Sequence, residues 1–111
     1  MYNIFLTGCD VNTEWQLPWF INKYKEHNST PIVCADFGMS ATGRKFADDN
    51  FNLVIEVKSE ARGWFKKPRA ILDGSHQAGV KKTCWIDTDC EILGDISDIF
   101  DLSEQGRLGM I

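Results

Sequence analysis

An α/β fold, with a mostly parallel sheet flanked by helices, is what these 111 residues predict, and three observations carry it. Short apolar runs recur at Asn3–Thr7, Ile32–Ala35 and Asn52–Val57, and the stretches between the runs have helical spacing. The first two runs stop at a glycine close to an aspartate, Gly8-Cys9-Asp10 and Asp36-Phe37-Gly38. A further run, Cys84-Trp85-Ile86, stops at two carboxylates one residue apart, Asp87 and Asp89. Strand, helix, strand in this rhythm implies right-handed crossovers and a parallel sheet with helices on its faces.

The first strand is expected over Asn3–Thr7, with Gly8 allowing close backbone approach at its end. Asp10 beyond it suits either a ligand's hydrogen-bond donors or a simple turn. Leu17, Phe20, Ile21 and Tyr24 form an apolar stripe, so a helix is placed at Pro18–His27, with the proline in its first turn and His27 facing the dipole at its end. Pro31–Phe37, with the apolar run Ile32–Ala35, is the second strand, and Met39–Asp49 a weak helix that exposes Arg44, Lys45, Asp48 and Asp49. The third strand is Asn52–Val57. A polar loop at Ser59–Lys67 then carries Trp64 and Phe65 among Arg62, Lys66 and Lys67.

Pro68 is expected to open the next helix, so Lys67 and Arg69 fall in or just before a first turn, where the positive dipole end and side-chain cations together favour phosphate. Gly79 closes that helix, and Lys81-Lys82 is the solvated entry to the strand Cys84–Ile86. Asp95–Leu102 reads as a short helical turn with Ile96, Ile99 and Phe100 on one side. After a loop at Ser103–Gly106, Arg107–Ile111 reads as the start of a strand.

Composition sets bounds. One domain of this length buries about 65% of its unfolded surface. A net charge of −4 gives no general attraction to nucleic acid or to an anionic membrane. No apolar run approaches the roughly 20 residues that span a bilayer, and the first residues lack a basic region and a cleavage site, so a soluble, cytoplasmic protein is expected. Cys9, Cys34, Cys84 and Cys90 lie in or beside predicted strands without close pairing, as buried reduced thiols do.

The chemistry concentrates at Asp87-Thr88-Asp89. Ligands of open α/β sheets collect outside the carboxyl ends of the strands. If the strand geometry continues, alternate residues point the same way, and two converging carboxylates need a cation between them. Hard oxygen ligands suit Mg²⁺ or Mn²⁺, whose shell is completed by water and substrate phosphates. The same spacing also suits a solvated turn in which aspartate caps the following segment. An EF-hand loop starting at Asp87 fails because Ile92 stands where glycine is required. The strand ending in Asp-x-Asp is shared with haloacid-dehalogenase-type phosphatases, but they carry it near the chain start and follow it with threonine, where this chain has Glu91. The cysteines and histidines form no zinc spacing.

Lys67-Pro68-Arg69-Ala70-Ile71-Leu72, then Gly79, then Cys84 to Ile92, followed by Asp95-Ile96-Ser97-Asp98-Ile99-Phe100, resembles the GT-A glycosyltransferases, the nucleotide-diphospho-sugar transferase superfamily. Element order agrees along the whole chain, and the specific part runs from Lys67 to Phe100. The resemblance implies a Rossmann-like GT-A half-fold and a metal-dependent transferase that binds a UDP-type sugar nucleotide. It places Thr7, Gly8, Asp10 and Asp36 at the base and ribose, Lys67 and Arg69 near the diphosphate, and Asp87, Thr88 and Asp89 at the nucleotide and metal. Asp89 would be the direct Mn²⁺ or Mg²⁺ ligand, with Asp87 facing the ribose or metal-bound water. The family's acceptor-binding half, catalytic base and further metal ligand have no counterpart in these 111 residues. The expectation is therefore a donor-binding domain, cut from a longer protein or persisting alone, inactive by itself. It is expected to form a two-fold dimer because Leu108–Ile111 leaves an apolar strand uncovered. A non-catalytic nucleotide-binding or assembly module of the same fold is the competing reading.

Overall fold

A computed structural model describes residues 2–57, 66–77 and 79–103, of which residues 66–69, 72, 102 and 103 by their backbone only. The basic loop from Ser59 with Trp64 and Phe65, and the strand expected at Arg107–Ile111, lie outside the described residues. The elements follow in the order β1 (Tyr2–Cys9), a 3₁₀ turn (Glu14–Gln16), α1 (Leu17–His27), β2 (Ile32–Asp36), α2 (Ala41–Asn50), β3 (Leu53–Glu56), α3 (Lys66–Ser75), β4 (Val80–Trp85) and α4 (Ile99–Ser103). The four strands form one sheet in the order β3-β2-β1-β4, and every pairing is parallel. This is an α/β architecture compatible with a Rossmann-like half-fold.

Burial on both faces explains why the central strands read as nearly unbroken apolar runs. On one face Phe5, Cys9, Cys34, Cys84 and Ile86 meet Leu17, Phe20, Ile21 and Tyr24 of α1, Ala47 of α2 and Phe100 of α4. The Phe5 ring lies 5.9 Å from Tyr24, edge on, and 4.8 Å from Phe100. On the other face Ile4, Leu6, Val33, Ala35, Ile55, Val57 and Trp85 meet Ala70 of α3. The chain thus winds outward from β1 to β3 with α1 and α2 on the first face. It then returns through α3 on the second face to set β4 on the far side of β1. Strand order reverses between β1 and β4, the switch point at which open α/β sheets bind ligands.

Several boundaries differ from the sequence reading for local reasons. β1 continues through Gly8 to Cys9, which pairs with Asp36. Gly8 acts there through size, because a Cβ at this position would lie 2.6 Å from Cε2 of Phe37 and 2.9 Å from Cβ of Ala35. β4 includes Lys81 and Lys82, which an edge strand tolerates; the Lys82 ammonium donates to the Phe100 carbonyl at 2.6 Å. α3 begins two residues before Pro68, within the first turn, where a missing N–H costs nothing. α2 starts at a serine cap, Ser40, whose Oγ accepts from the Gly43 N–H at 3.1 Å.

Candidate binding site at the switch point

The ladder between β1 and β4 ends where the Ile86 N–H donates to the Leu6 carbonyl at 2.8 Å. Beyond that bond the chain leaves β1 through Asp10–Gln16 and leaves β4 through Asp87–Cys90. A side-chain hydrogen bond spans the gap between the two loops: the Thr88 hydroxyl donates to Oε1 of Gln16 at 2.6 Å. Thr88 is 7% exposed and Gln16 half-buried, so the bond is partly shielded from competing water.

Of the two geometries the sequence left open at the paired carboxylates, extended strand or turn, the backbone takes the turn. Cys90 N–H donates to the Asp87 carbonyl at 3.1 Å, which places Thr88 and Asp89 at the centre of a β-turn. Strand alternation therefore does not set the direction of Asp89, and the fold of the turn does. Asp87 is half-buried, and its Oδ1 accepts from Trp85 Nε1 at 2.7 Å. Asp89 is exposed.

The other expected site residues fall along the same carboxyl edge in different environments. Asp10 organises its own loop: Oδ1 accepts from the Asn12 N–H at 2.8 Å, the Thr13 N–H at 3.2 Å and the Thr13 hydroxyl at 3.3 Å. Gly8 lies beneath the Phe37 ring, which tilts at 31° to Trp85 with centroids 6.1 Å apart. Thr7 is fully buried within the sheet, and its hydroxyl has no hydrogen-bond partner among the described residues. Lys67 and Arg69 lie in the first turn of α3. As α3 follows a parallel strand it starts at the carboxyl edge and runs back beneath the sheet, where a Cβ on Gly74 would sit 3.2 Å from Leu6 and 3.8 Å from Ile4.

Asp36 is held from both sides. Oδ1 accepts from the Gly38 and Met39 N–H groups at 2.8 and 2.7 Å, and Oδ2 from the Arg44 guanidinium at 3.0 Å. Burial by itself raises its pKa, yet the two backbone donors and Arg44 together hold the carboxyl below its ordinary value. Arg44, expected as a solvated helix cation, turns back onto Asp36 and also reaches Asp48 at 3.3 Å.

Gln16 and Glu14 escaped the sequence reading. Nothing in their spacing marks them, since the partners lie 72 and 26 residues away. The Glu14 carboxylate accepts from the Ser40 N–H at 2.8 Å and the Ser40 hydroxyl at 2.5 Å, over the positive end of α2. Gly43 leaves room for it, because a Cβ there would lie 2.1 Å from Oε2.

Three of the four cysteines are buried, and none is in a disulfide. Sharing a proton with the neighbouring Cys9 thiol, and then burial, pushes the Cys34 pKa up; burial alone pushes Cys84 up to about 11. Thiols held in this form are poor nucleophiles and poor ligands. Among the described residues no group of three or more His, Cys, Asp or Glu side chains is arranged to hold a metal ion. No helix among the described residues is long and apolar enough to cross a membrane.

No protein-family model matches the chain, and no curated protein matches it.

Proposed function

We propose that the chain binds a nucleoside diphosphate at the switch point, as the donor-binding part of a metal-dependent nucleotide-sugar transferase. The observation that carries this reading is the position of Asp87-Thr88-Asp89, a carboxylate-bearing turn at the end of β4 that faces the loop leaving β1. Asp89, with Asp87, would contribute carboxylate oxygens to Mn²⁺ or Mg²⁺, and the ion would offset charge on the leaving diphosphate. Lys67 and Arg69 in the first turn of α3 suit the phosphates, and the loops after β1 and β2 suit the base and ribose. The donor is taken as UDP-type. In this reading the chain acts in the cytoplasm, where buried thiols such as Cys34 stay reduced, and works as a two-fold dimer.

A non-catalytic binding or assembly module of the same fold is the second reading. Asp36 favours it, because both its oxygens are already spent on partners within the chain, and Asp10 commits Oδ1 to its own loop. Calorimetric titration of UDP with and without Mn²⁺ separates the two. Binding that requires Mn²⁺ supports the transferase reading, whereas no heat at millimolar UDP supports the module.

A further inference from the structure

We propose that Gln16 is a positioning residue: through its hydrogen bond to Thr88 it sets the orientation of the turn that carries Asp87 and Asp89, and so couples the loop after β1 to the cation-binding end of β4. The inference rests on the reading of Asp87 and Asp89 as cation ligands. Thr88 is the second residue of the turn closed by the Cys90 N–H and the Asp87 carbonyl. A β-turn at the end of a strand can rotate about the strand axis, and Asp89 has no ladder position to fix it. The Thr88 side chain limits that rotation, together with the Trp85 indole on Asp87, because Thr88 is buried and its hydroxyl is committed to Gln16 at 2.6 Å.

Gln16 is itself well anchored. It closes the 3₁₀ turn by donating its N–H to the Thr13 carbonyl at 3.1 Å, and Leu17 beside it is fully buried against the sheet. Asp10 begins the same loop, through the bonds from Asn12 and Thr13. A nucleotide that rearranges this loop therefore moves the acceptor to which Thr88 is tied. Conversely, a cation that fixes Asp89 restricts Gln16. Coupling of this kind is reciprocal, and for adjoining loops an effect of about tenfold in affinity is ordinary.

The test uses the 111-residue chain with Thr88→Val, Gln16→Met, both together, and Thr88→Ser. Thr88→Val keeps the shape and removes the donor; Gln16→Met keeps the length and removes the acceptor; Thr88→Ser keeps the bond. Amide hydrogen exchange at Asp89 and Cys90, read without ligand, should quicken in the first three and stay at the wild-type rate in Thr88→Ser. Mn²⁺-dependent affinity for UDP should fall about tenfold in either single variant, with the double variant no weaker than the singles. Wild-type exchange rates in Thr88→Val, or additive losses in the double variant, overturn the proposal. A wild-type chain that binds no Mn²⁺ and UDP defeats the ligand reading; exchange and its rescue by serine then decide the latch alone.

Discussion

At Asp36, burial and hydrogen bonding act in opposite directions on one carboxyl group, and hydrogen bonding wins. A group whose pKa is lower in the folded than in the unfolded chain contributes stability above its unfolded value, about 3.9 for aspartate, and loses that contribution as pH falls through the folded value. Arg44→Met should therefore cost about 1 kcal/mol at pH 7, a figure kept small because Arg44 is partly in water. The cost should shrink near pH 3. Urea unfolding at the two pH values measures it, and an equal cost at both would assign the loss to the methylene contacts of Arg44. The two switch-point carboxylates separate in another way. Asp89→Asn should weaken Mn²⁺-dependent UDP binding more than Asp87→Asn, because Asp89 is the exposed carboxylate whereas Asp87 already accepts from the Trp85 indole. Full affinity in both variants would remove the metal from this turn.

Elements here are fixed by their ends as much as by their apolar stripes. Asn28, just past α1, donates Nδ2–H to the Gly94 carbonyl at 3.0 Å and accepts the Ile96 N–H at Oδ1, also at 3.0 Å. Its side chain thereby moors the segment after β4 to the end of α1. Asn28→Ala should lower stability by about 1–3 kcal/mol, since it leaves partly buried backbone groups unpaired. Thermal unfolding reads that loss, and an unchanged melting temperature would show that water replaces the mooring. The alternation of strand and helix was legible in sequence because each strand is a short apolar run and each helix carries one stripe, as Leu17, Phe20, Ile21 and Tyr24 do. Strand order is a different matter. Nothing in the sequence states that β4 pairs with β1; the pairing follows from α3 crossing on the opposite face, through Ala70 and the close approach of Gly74 to Leu6. Gly8 was visible as a glycine, but its reason, the Phe37 ring above it, is a contact between strand ends. The position of Asp87-Thr88-Asp89 was legible from the run that stops there. Its turn was legible as one of two alternatives, but its tie to Gln16 was not, because a bond across 72 residues leaves no periodic trace.

At the scale of the whole molecule, the winding of the chain brings three separate pieces of sequence to one edge of the sheet: the loop after β1, the turn after β4 and the first turn of α3. A ligand that touches all three binds the folded chain and not the unfolded one, so it must raise stability by mass action. With Mn²⁺ present and UDP at about 100 times its dissociation constant, the gain is about 2.7 kcal/mol, read as a higher melting temperature. Each piece then supplies its own control. Asp89→Asn should abolish the part of the gain that depends on Mn²⁺. Lys67→Ala and Arg69→Ala should reduce the gain from UDP while leaving that from uridine intact, because a cation at the start of α3 meets phosphate and not base. Equal losses for UDP and uridine would make Lys67 and Arg69 supports of α3 and no part of the site. A melting temperature unmoved by UDP, with or without Mn²⁺, would mean that the three pieces meet only to close the fold.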